Sequence, residues 1–198
     1  MNGTLVSRVV RFYRREGLPA LLRELCVRPY RRLVLDWHYV FVCEQVPEVP
    51  PPPMELELRH YRSAEALDAE VRRSVVCELG AHMGRALDEA LAGGAELFVA
   101  CVSEAVAALQ FVRPGRAVDH WFVPLRPNDA VLFGGTTLPR FRRRGLVTWM
   151  IRHQTHYAMQ GGGRAYADVK VWNTPAIRAV ESAGFRRIAR MRPLRSGS

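Results

Sequence analysis

Lysine is almost missing from this sequence, since Lys170 is the only lysine among its 29 basic residues and the others are arginine. With 19 acidic residues, the formal net charge is +10 at pH 7. A basic chain attracts phosphates, nucleic acid, anionic membranes or acidic carrier proteins. The arginines are spread over the whole chain, as a genome that favours arginine codons would also produce. The charge therefore indicates an anionic partner without selecting one.

Three further absences restrict the class of protein. None of the four cysteines belongs to a Cys-x-x-Cys pair, which excludes a zinc knuckle and a dithiol redox motif. No run of 18 apolar residues is long enough to cross a membrane. The N-terminus lacks the compact apolar run and small-residue cleavage site of a signal peptide. We therefore expect a cytoplasmic protein with reduced cysteines.

The chain is long enough to bury a substantial core, and 48% of its 198 residues are apolar. A proline-rich stretch, Pro50–Pro53, is typical of a stiff linker. We predict a basic amphipathic extension with this linker over residues 1–53, followed by one α/β domain over residues 54–198.

The extension carries eight arginines against two glutamates in residues 1–32, with aliphatic and aromatic residues at helical spacing between them. A strand is predicted after it, over Leu33–Cys43. Three roles for residues 1–32 are compatible with this pattern. The three are contact with an anionic membrane surface, binding of an acidic carrier protein or tRNA, and packing against the domain or a second copy in a homodimer.

Hydrophobic periodicity predicts the order β-α-α-β-β-β-β-α-β-α-β for the rest of the chain. The predicted strands are Glu55–Tyr61, Leu97–Val102, Val106–Val112, Arg116–Val123, Ala130–Thr137, Tyr166–Val171 and Phe185–Met191, and the helices are Ala64–Leu79, Arg85–Leu91, Leu146–Gln160 and Pro175–Ala183. Ser63 is the expected N-cap of the first helix.

The stretch Pro139–Thr148 joins a predicted strand to a predicted helix and places Gly145 after three arginines, Arg142, Arg143 and Arg144. Such a turn can direct several backbone N–H groups and the positive end of a helix dipole at a phosphate. A solvated basic turn is the alternative. A second stretch, Asn173–Phe185, follows the next predicted strand, so the two stretches together predict a site for a phosphate-bearing cofactor between two strands.

Together these two stretches resemble the GNAT N-acyltransferase superfamily. That family carries Arg/Gln-x-x-Gly-x-Gly/Ala at the turn, which residues 142–147 match up to the last position. It also carries Asn-x-x-Ala-Ile shortly before Ala-Gly-Phe, matched by Asn173, Ala176, Ile177 and residues 183–185. The resemblance implies a GNAT fold, an α/β architecture with a mixed central sheet flanked by helices, over about residues 54–191.

The resemblance also implies where acyl-CoA binds, namely between two parallel strands that separate. Gly135, Thr136 and Thr137 would pair with the thioester and pantetheine through their backbone. The pyrophosphate would lie on the arginine turn and the helix start, formed by Arg142, Arg143, Arg144, Gly145, Leu146, Val147 and Thr148. Asn173 would contact the pantetheine or the departing thiol, and no metal is expected.

Acyl transfer to an amine also needs a base, and the resemblance points to Asp168, five residues before Asn173. Asp168 could equally be a salt-bridged surface carboxylate. Weaker candidates are Glu78, His82 and His120. A metal site on His153 and His156 lacks an apparent third ligand.

Two positions depart from the family pattern. Val147 stands where the family has Gly or Ala, and Val180 stands where many members place a tyrosine that protonates the thiolate. We predict an acyl-CoA-dependent N-acyltransferase, with acetyl-CoA the first donor to consider and a small-molecule amine or amino sugar as acceptor. The alternatives are a donor carried by acyl carrier protein or aminoacyl-tRNA, and a GNAT-like binding module without catalysis.

Overall fold

The computed structural model describes residues 37–193, which form a mixed seven-stranded sheet and four α-helices. The strands are β1 His38–Cys43, β2 Glu57–Tyr61, β3 Glu96–Val102, β4 Ala105–Pro114, β5 Ala130–Thr137, β6 Ala165–Lys170 and β7 Arg186–Met191. The helices are α1 Ala69–Leu79, α2 Ala81–Ala92, α3 Leu146–Met159 and α4 Thr174–Ser182. A mixed sheet flanked by helices is the predicted fold class, which is confirmed.

The strands lie in the order β2-β3-β4-β5-β6-β1-β7. Neighbouring strands are antiparallel except β5 and β6, which are parallel and joined through α3. The parallel pair lies in the interior of the sheet, and both of its strands are followed by a helix. The chain therefore leaves β5 and β6 at the same edge of the sheet, where two helices begin.

Helices cover both faces because β3 and β4 are apolar on both sides. One core cluster contains side chains of α3 and α4 packed against the sheet, including Trp149, Met150, Ile177 and Phe98. The other contains side chains of α1 and α2, including Val71, Leu87 and Leu97. Consecutive residues of β3 contribute to opposite clusters, as the alternation of side chains along a strand requires.

Strand β1 lies inside the sheet, between β6 and β7, and pairs antiparallel with both. It occupies the second half of the predicted strand Leu33–Cys43, and Val40 and Phe41 are completely buried. The sheet therefore takes a strand from the part of the chain that precedes the proline-rich stretch. That stretch lies along α3, where the Trp149 indole donates to the Pro50 carbonyl at 2.9 Å.

The predicted strand Arg116–Val123 is wrong: one 3₁₀ turn, Gly115–Ala117, leads into a loop that extends to the start of β5. The apolar residues that suggested a strand instead pack flat against a sheet face. Trp121 and its neighbours cover a small cluster formed by Val42, Val131 and Tyr166. Pro114 and Pro124 bound the segment, and a proline cannot donate a ladder hydrogen bond.

The first helix begins at Ala69 instead of Ala64. Ser63 does accept a hydrogen bond from the Ala66 amide at 3.3 Å, but it caps a single isolated turn. The second helix is longer than predicted, because it begins at Ala81, directly after Gly80 at φ +96°. The other predicted strands and helices are confirmed to within about two residues at each end.

The predictions for residues 1–36, including their helices and their membrane, carrier-protein or tRNA contacts, lie outside the described residues. Between residues 37 and 193, no helix is both long and apolar enough to span a bilayer.

Candidate active site

Strands β5 and β6 stay together for only three residue pairs, from Ala130 opposite Ala165 to Leu132 opposite Ala167. Among the described strands, β5 pairs beyond Leu132 with β4 alone, and β6 pairs beyond Ala167 with β1 alone. The two strands therefore leave an opening in the sheet between residues 133–137 and residues 168–170. Within residues 37–193, the backbone groups that face the opening have no strand opposite them to bond.

A β-bulge bends β5 at this opening. The register with β4 shifts between Leu109 and Phe111, because β5 inserts one extra residue there. Gly134 adopts φ +65°, and a Cβ on it would come within 2.8 Å of the Phe111 ring, so a side chain has no place there. Gly134 and Gly135 are both exposed, and their backbone faces the opening without a side chain to cover it. The predicted cofactor strand Gly135–Thr137 thus forms one wall of the opening.

The predicted phosphate turn leads from the end of β5 into α3. Arg143 and Gly145 have φ of +61° and +75°, and this pair of left-handed residues bends the chain sharply into the helix. The first hydrogen bond across the helix start runs from the Trp149 amide to the Gly145 carbonyl at 3.1 Å. The amides of the first helical residues, Leu146, Val147 and Thr148, therefore have no carbonyl partner within the helix. The turn combines free donors with the positive end of the helix dipole.

The three arginines of the turn are all exposed, but they do different things. The Arg142 Nε donates to the Thr137 carbonyl at 3.1 Å, which ties the turn to the end of β5. The Arg144 guanidinium lies over the Phe141 ring at 5.9 Å. Arg143, in the left-handed conformation, lies between them. Arg142 therefore shapes the turn, whereas Arg143 and Arg144 carry positive charge at its surface.

Leu146 and Val147 begin α3 as packing residues. Leu146 is 1% exposed, and Val147 packs against the same core cluster as α3 and α4. The Val147 side chain is thus directed into the protein, and its backbone N–H remains at the helix start. This placement explains how the chain accommodates a valine where the family pattern has Gly or Ala.

Asn173 begins α4 at the end of β6. Its Oδ1 accepts from the backbone N–H of Ala176 at 3.4 Å as the helix N-cap. The backbone N–H of Asn173 donates to the Lys170 carbonyl at 2.8 Å. The predicted catalytic asparagine thus has a structural role in the turn. Its position places the start of α4 on the β6 side of the opening, while the start of α3 lies on the β5 side.

Asp168 is the first residue of β6 beyond the last pair with β5. Its Oδ2 lies 2.6 Å from the His38 Nδ1 of β1, and the two side chains are 20% and 12% exposed. His38 is not among the predicted site residues, because its partner lies 130 residues away in the sequence. Side chains alternate along β1, so His38 lies on the same face as the buried Val40 and Val42. This alternation is the sequence signal that could have identified His38.

The loop that follows Pro114 covers this pair. The Phe122 ring lies 5.4 Å from the His38 ring, and the Trp121 ring packs edge-on against Phe122 and Tyr166 at 5.5 Å. Residues 118–125 line a recess of about 480 Å³. The His38–Asp168 pair therefore lies beside an aromatic recess at the edge of the opening.

The weaker candidates lie elsewhere or have other partners. Glu78 at the end of α1 lies 3.7 Å from the Arg140 guanidinium, and His82 is in the first turn of α2. His120 is exposed in the loop over residues 118–125. Val180 is 5% exposed within the α3–α4 core, where it offers no proton donor.

His153 and His156 are directed to different environments. The His153 ring lies against Trp149 and Phe98, and burial lowers its pKa below the usual range, with positive charge on His156 and His60 lowering it further. The His156 Nδ1 meets the Pro47 carbonyl at 3.3 Å. Within residues 37–193, no three His, Cys, Asp or Glu side chains are grouped so as to hold a metal ion.

The family model and the similar solved structures point to the same family. The sequence matches the acetyltransferase (GNAT) family over residues 58–185. A solved structure from Novosphingobium aromaticivorans, described as an acetyltransferase from the GNAT family, is 20% identical with a TM-score of 0.57, covering 80% of this chain and 63% of that chain. A GNAT-family acetyltransferase from Colwellia psychrerythraea is 16% identical with a TM-score of 0.58, covering 78% and 53%.

A third similar structure is the GCN5-related glucosamine N-acetyltransferase region of a fungal multi-domain enzyme, which is 12% identical with a TM-score of 0.60. The match covers 88% of this chain and 22% of that one. At such identities these structures show the fold alone, and the matches span less than two thirds of each protein. No curated protein matches the sequence. The family match covers most of the chain and includes both sides of the opening, and this chain therefore belongs to the GNAT acetyltransferase family.

Proposed function

We propose that this chain transfers the acyl group of an acyl-CoA, acetyl-CoA in the first instance, to the amine of a small molecule such as an amino sugar. The observation that carries the proposal is the separation of β5 from β6 after Leu132, with the starts of two helices at its mouth. An opening between parallel strands offers an extended chain such as pantetheine the backbone bonding that a missing strand would provide.

Several groups in the opening fit this ligand. The free amides at the start of α3, together with Arg143 and Arg144, suit a pyrophosphate. The Thr137 hydroxyl is buried and has no hydrogen-bond partner among residues 37–193, although it lies at the end of the wall assigned to pantetheine. A buried hydroxyl without a partner is costly, so a bound polar ligand at this place would relieve it.

CoA would supply the activated thioester, and the residues of this chain would do the rest. The backbone of Gly135–Thr137 would align the acyl carbonyl, and the Asp168–His38 pair would accept the proton of the attacking amine. The N-cap bond occupies the Asn173 Oδ1, which leaves the side-chain NH₂ of Asn173 to donate toward the departing sulfur.

The positive charge of the chain bears on two other acyl donors. A net charge of +10 would suit an acidic acyl carrier protein or an aminoacyl-tRNA, and both would add contacts outside the opening. A binding module without catalysis is supported by Val180, since the position carries no acid. Free CoA esters remain the preferred donor because the opening and the helix start account for them without further surfaces.

Titration calorimetry with acetyl-CoA and longer acyl-CoAs tests the proposal, and Gly145→Ala provides the site variant. Gly145 has φ +75° at the phosphate turn, and an added Cβ would meet only Pro53, at 4.0 Å. Gly162→Ala is the matched control, since Gly162 has φ +76° beyond the other end of α3 with open space around it. Each variant should lose a similar ~1–2 kcal/mol of stability.

The expected result is saturable binding of at least one acyl-CoA, weakened by at least about tenfold in Gly145→Ala and unchanged in Gly162→Ala. Absence of binding for every acyl-CoA would refute the proposed donor. Equal weakening in both variants would mean that the turn at Gly145 is not the phosphate site.

A further inference from the structure

We propose that His38, supplied by the inserted strand β1, is the catalytic base of the transfer, and that Asp168 is the positioning residue that orients it. The inference rests on the proposed function and adds the residue that handles the proton. It begins from one contact, the 2.6 Å separation of the His38 Nδ1 from the Asp168 Oδ2.

This contact selects one tautomer of the imidazole. A carboxylate only accepts hydrogen bonds, so the proton of the neutral ring lies on Nδ1 and the lone pair on Nε2. Among residues 37–193, no hydrogen bond involves the His38 Nε2. A carboxylate that fixes the tautomer also stabilises the imidazolium formed when Nε2 takes up a proton. His38 is thereby prepared to act as a base at Nε2.

The location of the pair fits the reacting atoms. Asp168 is the first residue of β6 released from β5, so the pair lies where the opening begins. The His38 side chain is 12% exposed, which shields it but leaves access for a substrate. The Phe122 ring tilts against the imidazole, and the recess over residues 118–125 lies beside it, which provides a place for the amine to enter.

Several other charged or titratable groups surround the imidazole. Lys170 is its direct cross-strand partner on β6, and Asp119 and His120 belong to the covering loop. On β7 the cross-strand partner of His38 is the uncharged Met191. Among the residues that the structure describes, Asp168 is the one group in hydrogen-bond contact with the ring, so its carboxylate dominates the orientation of the imidazole.

The His38 imidazole accounts for both proton movements of the transfer. The neutral amine nitrogen attacks the thioester carbonyl carbon, a C–N bond forms, and the nitrogen gives one proton to the His38 Nε2. The tetrahedral intermediate then collapses, the C–S bond breaks and the thiolate leaves. The imidazolium returns the proton to the sulfur, which yields the amide and free CoA. His38 would thus also serve as the acid that Val180 does not provide.

The test compares His38→Gln with His60→Gln. His60 is the matched control, since its Nε2 lies 2.7 Å from the Glu96 Oε2 in a second histidine–carboxylate pair on β2, away from the opening. Acetyl transfer to glucosamine, tyramine and spermidine is followed as release of CoA between pH 5.5 and 9, and acetyl-CoA affinity is measured by calorimetry. His38→Asn and Asp168→Asn complete the set.

We expect His38→Gln to lose at least about a hundredfold in kcat with acetyl-CoA affinity unchanged, and the acidic limb of its pH–rate profile to reflect only protonation of the acceptor amine. Asp168→Asn should lose less and keep a pH–rate profile different from that of His38→Gln, because it removes the carboxylate that orients the imidazole and stabilises the imidazolium but leaves the base in place. His60→Gln should match the parent protein. Full activity of His38→Gln with an unchanged pH profile overturns the inference while leaving the proposed function intact.

An NMR measurement decides the matter independently of the acceptor. Long-range ¹H–¹⁵N spectra should show the lone pair of neutral His38 on Nε2 and that of His60 on Nδ1, since each carboxylate holds the other nitrogen. A neutral His38 ring with its proton on Nε2 would overturn the inference whatever the amine used. Failure of the parent protein to bind any acyl-CoA would instead refute the proposed function, and this inference with it.

Discussion

Asp129 shows how much one side chain contributes to the geometry of the opening. It is 3% exposed, and its two carboxylate oxygens accept from the Arg126 amide at 2.7 Å and the Arg164 amide at 2.9 Å. The first bond closes the turn before β5 and the second ties that turn to the residue before β6. Asp129 therefore fixes the register in which the two parallel strands begin.

Asp129→Ala should destabilise the protein by about 2 to 4 kcal/mol, because it leaves two amides without their acceptor. Urea denaturation of the variant and the parent measures this difference. Asp119→Ala, at an exposed position of the same loop, should stay within about 0.5 kcal/mol of the parent. Similar small costs for both variants would show that Asp129 does not hold the two strands together.

His153 should make stability depend on pH. Burial lowers its pKa in the folded protein below the ordinary value of 6.5, with His156 and His60 adding to the effect. Below about pH 6.5 the unfolded chain binds a proton that the folded protein refuses, so the free energy of unfolding falls as the pH decreases toward the folded pKa. Above about pH 6.5 His153 is neutral in both the folded and the unfolded protein, so it adds nothing to the pH dependence of stability.

Denaturation at pH 7.5 and 5.5 checks this, with His153→Phe as the variant that cannot titrate. The loss of stability between the two pH values should be smaller in His153→Phe than in the parent. His120→Gln, which removes an exposed histidine, should retain the loss of the parent. Identical losses in parent and His153→Phe would contradict the prediction.

At the scale of elements, strand β1 contributes to both stability and the site. It carries completely buried residues, it pairs on both sides, and it delivers His38 to Asp168. Strand β7, by contrast, is the last strand of the described sheet and has mostly exposed residues.

Phe41→Ala should therefore cost about 3 to 5 kcal/mol, since it empties a completely buried site in the middle of the sheet. Ile188→Ala on β7, where the side chain is 39% exposed, should cost less than about 1.5 kcal/mol. Chemical denaturation gives both values. A small cost for Phe41→Ala would mean that β1 is an appendage that the sheet does not need.

The elements also show where sequence reasoning succeeds. Both sides of the opening were predictable, because Gly145 and Asn173 each mark a boundary between strand and helix that local chemistry sets. The loop around Trp121 was not, since a short stretch rich in apolar residues looks alike whether it pairs with a strand or lies across a sheet face. The place of β1 was not predictable either, because pairing with β6 is decided by packing between residues far apart in the chain.

At the scale of the whole molecule, the charge of +10 gives a way to identify the donor. A small thioester touches a few basic groups, whereas a tRNA neutralises many and releases many counterions. For acetyl-CoA, kcat/KM should fall by less than roughly fivefold between 50 and 300 mM KCl, since only the turn at Arg143 and Arg144 is screened. If tRNA or a carrier protein supports transfer, and its kcat/KM falls by about a thousandfold or more over the same salt range, those donors are favoured instead.

The position of β1 has a consequence for the order in which the molecule is made. His38 precedes its partner Asp168 by 130 residues. At ribosomal rates the strand waits about 7 to 26 s before β6 follows it. During that time a buried, β-branched and aromatic strand has neither neighbour, which is the state in which strands associate wrongly. The contact order of the sheet is correspondingly high, and we expect its closure around β1 to be the slow step of folding.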